Sequence, residues 1–416
     1  MNIGFVGLGK LGLPCSVAIA EKGHTVYGYD LDSALIEQYK SGISNLYEPD
    51  MDERLKNSGI KFTSLGDVVS NSEIIFVAVQ TPHSPELDGT HRYNGVKKDF
   101  DYTFLLSAVE NIVREIDKCS DYKIISIIST VLPGTTREVI YPAVKGITSK
   151  PWGLCYNPSF IAMGQVIKDF YSPEFTLIGE EKLGYPGEQL AEFYNTIHNS
   201  PKLRMTWDEA EMVKMYYNCY IGFKIIFANM IMQACHKVGA DCDVVTSALT
   251  QATDRLISGK YLRGGMGDGG GCHPRDNLAL SYLSDKLGLD YNIFEFVMNT
   301  REKQTEWLAN LVCSYNLPIV ILGRTFKPDT DLIDGSPSIL LANILEERGK
   351  KVSFYDPVTD PELPPREPSV YVIGTAWSEF KYFDFASGSV VIDPWRMVDK
   401  VPEGVELISI GGNKGA

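Results

Sequence analysis

The sequence lacks any apolar run of the roughly 18 residues needed to cross a bilayer. Its richest stretch, Ile221 to Met232, is broken by Lys224 and Asn229, so no membrane partner is expected. No basic leader precedes the apolar opening MNIGFVGLG, which reads as a first β-strand rather than a signal peptide. Cys-x-x-Cys pairs are absent. The eight cysteines, at 15, 119, 155, 219, 235, 242, 272 and 313, are too scattered for a disulfide scaffold or a zinc site. Reduced thiols, a cytoplasmic location and no metal are therefore expected. Positive charge is also scarce: 39 Lys+Arg against 53 Asp+Glu give a formal charge of −14. A nucleic-acid binder needs a basic field and is excluded. An anionic small molecule held by one or two local cations is not. Repeats of short period and low-complexity tracts are missing too.

What is present is a chain of 416 residues, 44% apolar, with material for real cores. At about 100–200 residues per domain it should hold two to four domains. Strand-like runs at Asn2–Val6, Thr25–Tyr29, Ile74–Val79 and Lys123–Ser129 alternate with helical patterns. Such alternation predicts a parallel sheet with helices on both faces. Residues 81–100 are polar and turn-rich and read as a long surface loop. From about Asp208 to Val238 the pattern is helical, with one Gly and no Pro. At 1.5 Å per residue that helix would run about 45 Å, long enough to join two domains. More helical sequence continues to about Val312. Then βαβ logic returns with Pro318–Leu322, a helix around Ser338–Arg348, Val352–Tyr355, Val370–Ile373 and Val390–Ile392. The fold class expected is α/β, with two Rossmann-like parallel-sheet domains joined by a long helix and a helical central dimerisation domain. The boundaries expected are 1–200, 201–312 and 313–416.

After the first strand comes Gly7-Leu8-Gly9-Lys10-Leu11-Gly12, followed by a helical pattern. Glycines at this spacing allow a tight turn, close backbone approach to a pyrophosphate and close helix packing. Amides at the helix start then face the anion. The second strand ends at Asp30, where a carboxylate would accept hydrogen bonds from an adenosine ribose and repel a 2′-phosphate. NAD is thus expected over NADP; the alternative is a glycine turn in some other α/β fold.

Six glycines lie between Gly264 and Gly271, and Cys272-His273-Pro274-Arg275-Asp276 follows. So glycine-rich a loop is costly to order and should have a reason. With Pro274 at the first helical position, Cys272 would stand at or before a helix N-terminus, whose field stabilises a thiolate. Glycine neighbours would leave it open to a substrate, and Asp276 could share its face. The alternative is a small buried cysteine beside an acidic capping residue. On the long helix, Lys214 and Asn218 are i and i+4 on one face, with Glu211 one turn earlier among apolar neighbours. A cation beside an amide suits an oxyanion or developing alkoxide; a solvated lysine with a structural asparagine is the alternative.

Together these pieces resemble the UDP-glucose/GDP-mannose dehydrogenase family over nearly the whole chain. The matching order is GLGKLGLP with Asp30, Tyr47-Glu48-Pro49, Thr81-Pro82, Ser129-Thr130-Val131 before Pro133-Gly134-Thr135, and Asn157-Pro158. Then come Glu211–Asn218, the glycine loop into Cys272–Asp276, Gly323-Arg324-Thr325-Phe326-Lys327-Pro328, and Tyr355-Asp356-Pro357. The resemblance implies an NAD-binding N-terminal domain, a central domain carrying a homodimer interface, and a C-terminal domain that grips the nucleotide of a nucleotide sugar. It implies oxidation of a primary alcohol to a carboxylate with two NAD, through a thiohemiacetal and a thioester on Cys272. Lys214 and Asn218 would stabilise the oxyanion, Asp276 would manage protons, and Thr130 would position water near the nicotinamide. Gly7, Gly9, Lys10, Leu11, Gly12, Asp30, Thr81 and Thr130 are the expected cofactor contacts. Ser159, Phe160, Lys214, Asn218, Arg255, Tyr261, Gly265 and Lys327 are the expected substrate contacts, Arg255 by way of the dimer.

The chain departs from the family pattern at four places. Where the family has Asn-Pro-Glu-Phe-Leu-x-Glu-Gly, both carboxylates are gone, replaced by Ser159 and Met163. The first is credited with proton handling in thioester hydrolysis. Asp334 stands where the family has a cofactor-binding arginine, the loop 81–100 is longer than usual, and Asp268 takes a usually aromatic position. Three readings follow. One is a nucleotide-sugar 6-dehydrogenase in which water or Ser159 replaces the missing carboxylate. Another is the same scaffold oxidising a different nucleotide-linked or nucleoside alcohol and stopping at an aldehyde or ketone. The third is a catalytically weak paralogue kept for binding. The β-hydroxyacid and 6-phosphogluconate dehydrogenases share a Rossmann domain and a lysine, but the thiol loop and residues 318–416 argue against them.

Overall fold

The computed structural model describes residues 1–46, 48–82, 99–162, 164–258, 264–270, 274, 284–285 and 287–410. The backbone packs into two compact units, Met1–Lys224 and Ile225–Ala416.

The first unit is built on an eight-stranded sheet. Its strands are β1 (Asn2–Val6), β2 (Thr25–Tyr29), β3 (Lys61–Phe62), β4 (Ile74–Val77), β5 (Lys123–Ile127), β6 (Trp152–Tyr156), β7 (Thr176–Glu180) and β8 (Lys202–Thr206). Helices α1 (Gly12–Glu21), α2 (Ser33–Lys40), α3 (Met51–Asn57), α4 (Leu65–Asn71), α5 (Thr103–Ile116), α6 (Tyr141–Val144), α7 (Val166–Tyr171) and α8 (Tyr185–Asn195) alternate with them. The order is β3-β2-β1-β4-β5-β6-β7-β8, parallel except between β6 and β7. Alternate residues of the central strands feed two cores: Ile74 and Phe76 enter one, Ile75 and Val77 the other. That is the period of two expected when both faces of a sheet are covered. Strand order reverses between β1 and β4, which opens the crevice where such sheets bind ligands.

Helix α9 (Trp207–Val238) has 32 residues, about 48 Å at helical rise, and is continuous across the boundary between the units. In the second unit, α10 (Cys242–Thr250) and α11 (Ile293–Cys313) precede a five-stranded parallel sheet. Its strands are β9 (Ile319–Leu322), β10 (Val352–Tyr355), β11 (Val370–Ile373), β12 (Val390–Asp393) and β13 (Glu406–Ser409), in the order β10-β9-β11-β12-β13. Helix α12 (Pro337–Glu347) follows β9 in the chain. The switch point here, between β9 and β11, is filled by protein. A Cβ on Gly323 would lie 2.3 Å from the Thr375 Cβ, and one on Gly374 would lie 2.3 Å from Ser338 Oγ. Buried Asp356 accepts the amides of Arg324, Thr325, Val358 and Thr359. Burial alone would raise its pKa, but those four amides hold it down at about 2. The Gly323–Lys327 turn is thus pinned at its base.

The α/β architecture, with two Rossmann-like sheets and a long helix between them in sequence, is the one read from the sequence. Among the described residues no helix is long and apolar enough to cross a membrane.

Candidate functional site

The three glycines after β1 do three different things. Gly7 turns the chain at φ 91°, and a Cβ there would lie 2.7 Å from Ala78 O. A Cβ on Gly12 would sit 2.0 Å from Gly7 O, so only glycine lets α1 start this close to the strand. A Cβ on Gly9 would meet nothing within 4 Å, which leaves that face open to a ligand. No side chain caps the start of α1, where Lys10 is exposed and Leu11 half-buried. These residues fit a dinucleotide pyrophosphate.

Asp30 does more than the sequence suggested. Its Oδ2 accepts the Leu8 amide at 2.7 Å, and its Oδ1 accepts the Asp32 amide at 3.0 Å. The buried Tyr39 hydroxyl donates to Leu8 O at 2.9 Å. Both polar groups of Leu8 are therefore held by the protein itself. Replacing Asp30 by alanine removes this support together with the carboxylate expected from the sequence to face the ribose. At about 1.5–3 kcal/mol per charged hydrogen bond, the NAD KM should rise about 10–150-fold and the preference against NADP should weaken. Initial rates with both cofactors check this.

The turn after β5 is tied to the end of β4. Thr81 Oγ1 donates to Thr130 O at 2.7 Å and Ser129 Oγ to Val79 O at 2.6 Å. Glu211, fully buried on α9, accepts the amides of Gly134 at 2.6 Å and Thr136 at 2.8 Å. Burial pushes the Glu211 carboxyl up, and these amides act against the rise. One turn along, Lys214 is 8% exposed. It is not a solvated lysine: Nζ donates to Ser159 O at 2.7 Å and lies 4.7 Å over the Phe160 ring. Burial lowers its pKa. Phe160 packs edge-on against Tyr217, whose hydroxyl donates to Glu174 at 3.0 Å. Asn218, by contrast, is exposed.

One face of α9 therefore holds two loops at once: Glu211 the turn containing Thr130, Lys214 the segment containing Ser159. That segment has further anchors. Asn157 donates to Leu177 O and accepts the Tyr194 hydroxyl. Asp169 accepts the Ala162 amide, and Glu48 accepts the Val166 and Ile167 amides at the start of α7, at 3.0 Å each. Sequence reasoning noted Glu48 and Glu211 only as motif members. Their clamping roles join residues 77 and more than 100 positions apart, which no local pattern reveals. A separate groove of about 340 Å³, ringed by Tyr141, Lys145, Trp152 and Trp207 among others, includes none of the expected site residues.

In the second unit, Cys272, Asp276 and Tyr261 lie outside the described residues, as does Met163 in the first. The described part of the thiol loop, Gly264 to Gly270, explains its own composition. A Cβ on Gly265 would strike the Trp395 ring at 2.2 Å, one on Gly269 would meet Pro337 at 2.7 Å, and one on Gly270 would meet the Phe326 ring at 2.9 Å. Met266 is buried in the core with α11, α12 and the sheet. The glycines therefore serve close approach to the C-terminal sheet layer, a reason distinct from the openness expected of them. Lys327 is exposed, its Nζ 5.5 Å from the Phe326 ring that Gly270 abuts. Gly265, Gly270 and Lys327 thus belong to one compact layer. Arg255 is exposed in the turn after α10.

An open glycine turn at the switch point with Asp30 beside it, and a buried lysine bonded to the loop after β6, fit a pyridine-nucleotide oxidoreductase with a second α/β unit. Family models agree along the chain. Residues 1–198 match the NAD-binding domain, 208–303 the central domain and 320–400 the UDP-binding domain of the UDP-glucose/GDP-mannose dehydrogenase family. GDP-mannose 6-dehydrogenase of Pseudomonas aeruginosa is 30% identical over 368 residues, covering 86% of this chain and 81% of that protein. UDP-glucose 6-dehydrogenase TuaD of Bacillus subtilis is 28% identical over 374 residues, covering 87% and 77%. The crystal structure of a ternary complex of the Pseudomonas aeruginosa GDP-mannose dehydrogenase superposes with a TM-score of 0.87 at 26% identity, covering 98% of this chain and 99% of that one. The chain belongs to the UDP-glucose/GDP-mannose dehydrogenase family and is an NAD-dependent dehydrogenase.

Proposed function

We propose that this enzyme oxidises the primary alcohol of a nucleotide sugar, of the UDP-hexose type, to the carboxylate. The balance is one alcohol, two NAD⁺ and one water to one carboxylic acid, two NADH and two protons. NAD, when bound, accepts the hydride in each half. Cys272 adds to the aldehyde as thiolate, giving a thiohemiacetal that is oxidised to a thioester and then hydrolysed. Lys214 faces the oxyanion, with Asn218 beside it. Thr130 and Asp276 handle water and protons, while Arg255, Tyr261, Gly265 and Lys327 contact the substrate. The observation that carries this reading is Lys214 itself: a buried ammonium bonded to the Ser159 carbonyl, one helical turn from the residue holding the Thr130 turn. The test is NADH formed per nucleotide sugar consumed across UDP-hexoses, GDP-mannose and N-acetylhexosamine nucleotides, with the product identified by mass spectrometry. A ratio of two with a carboxylate product supports the reading; no NAD reduction by any of them defeats it.

Ser159 favours a second reading, in which the same scaffold stops at an aldehyde or ketone. A hydroxyl cannot act as the carboxylate base, and losing a general base costs a factor of about 10²–10⁴. A ratio of one would select this reading.

A homodimer is part of the proposal. Tyr216, Tyr220, Phe223 and Phe227 on α9 are exposed at 68%, 47%, 57% and 47%. Their spacing of four, three and four residues makes one apolar stripe, the pattern that packs helix on helix. Phe223→Asp should shift the mass measured by light scattering from twice the chain to once.

A further inference from the structure

Two guanidinium groups hold the loop leading to Cys272: Arg396 donates from Nη2 to Gly264 O at 2.7 Å at its start, and Arg301 holds its later part. Arg301, half-buried on α11, donates from Nε to Asp268 O at 2.8 Å and from Nη2 to Gly335 O at 3.2 Å. The same Gly335 carbonyl accepts the Gly270 amide at 3.2 Å. Gly335 has φ 67° and Gly270 φ 87°, and a Cβ on Gly335 would lie 2.3 Å from Gly270 O. Two backbones thus meet where neither has room for a side chain, and Arg301 bridges them. Two departures from the family pattern flank this group: Asp268 itself, and Asp334, which precedes Gly335. Burial disfavours the Arg301 charge, while the carboxylates of Asp268 and Glu302 favour it.

We propose that Arg301 is a positioning residue for the thiol: it locks Asp268–Gly270 onto the segment around Gly335 and so sets how Cys272, two residues beyond Gly270, is presented. This rests on the reading of Cys272 as nucleophile. A fork that bonds two carbonyls at once suits the task, and a lysine, a single point donor, can serve only part of it. Because displacement of a reacting group by about 1 Å can cost about a hundredfold in rate, the effect should fall on kcat.

The experiment compares the full chain with Arg301→Ala, Arg301→Lys and Gly335→Ala. In the alanine variants, amide exchange over 264–270 should quicken at least about tenfold while peptides of β9 and β11 stay as they were. The rate of Cys272 alkylation by iodoacetamide should change. The kcat should fall about 10–100-fold with the NAD KM within about twofold. Arg301→Lys should lie between, and added guanidinium ion should restore part of the Arg301→Ala loss. Unchanged exchange at 264–270, or a rise shared equally by the sheet, overturns the proposal. If no nucleotide sugar reduces NAD in the wild type, the functional reading fails, yet exchange and alkylation still decide whether Arg301 holds the loop.

Discussion

Cys272→Ser should lower steady-state NADH formation by about 10³-fold or more, the scale on which removal of a covalent nucleophile is felt. The two halves of the proposed reaction depend on the thiol differently. The first hydride leaves an alcohol carbon and needs no thiol. In the proposed reaction the second leaves the thiohemiacetal carbon, and without the thiolate only the aldehyde hydrate, which has no sulfur to form the thioester, remains to be oxidised. A serine hydroxyl is not ionised at neutral pH and is a poor substitute. Rapid mixing should show at most one NADH per site, and mass spectrometry should find no carboxylate. Full turnover by this variant would remove the thiol from the mechanism while leaving the cofactor site intact.

Lys214→Ala should cost about 10²–10³ in kcat, the range for loss of one preorganised donor to an oxyanion. It also strands the Ser159 carbonyl, which Lys214 holds at 2.7 Å. Lys214→Arg should not rescue, since a planar fork cannot stand in the place of a point charge over the Phe160 ring. The pH dependence has a definite sign. Burial lowers the Lys214 pKa, so its charged form is lost at a lower pH than an exposed lysine's would be. The alkaline limb of kcat should therefore begin below the ordinary lysine range and vanish in Lys214→Ala. An alkaline limb that persists unchanged in the alanine variant would assign it to another group.

The contrast between Lys214 and Asn218 shows how far sequence reasoning reaches. Spacing of i and i+4 put both on one stripe, yet one is buried and the other exposed. Which part of a stripe is covered depends on the loop that lands there, here Ser159–Phe160. Strands β1, β2, β10 and β11 were legible to the residue because they are short, apolar and bounded by turn chemistry. Strands β6 and β7 were not, for a short apolar run is ambiguous until its partners are known, and β8, Lys202–Thr206, carries two cations and no apolar run. The antiparallel step between β6 and β7 leaves no mark in either strand.

The cofactor end of this protein was the most legible in the sequence, because the Gly7-x-Gly9-x-x-Gly12 turn and Asp30 lie close in the chain and their spacing is set by one turn and one helix start. Only the folded chain adds Ala78 against Gly7 and the Tyr39 hydroxyl on Leu8 O. The thiol loop's composition was visible too, but its reason was not. Only the folded chain brings Trp395, Pro337 and Phe326 against those glycines, and only it places Glu211, Glu48 and Arg301 on distant backbone. Buried amides and carbonyls must be satisfied by whatever the tertiary packing carries to them, and a linear pattern does not encode those meetings.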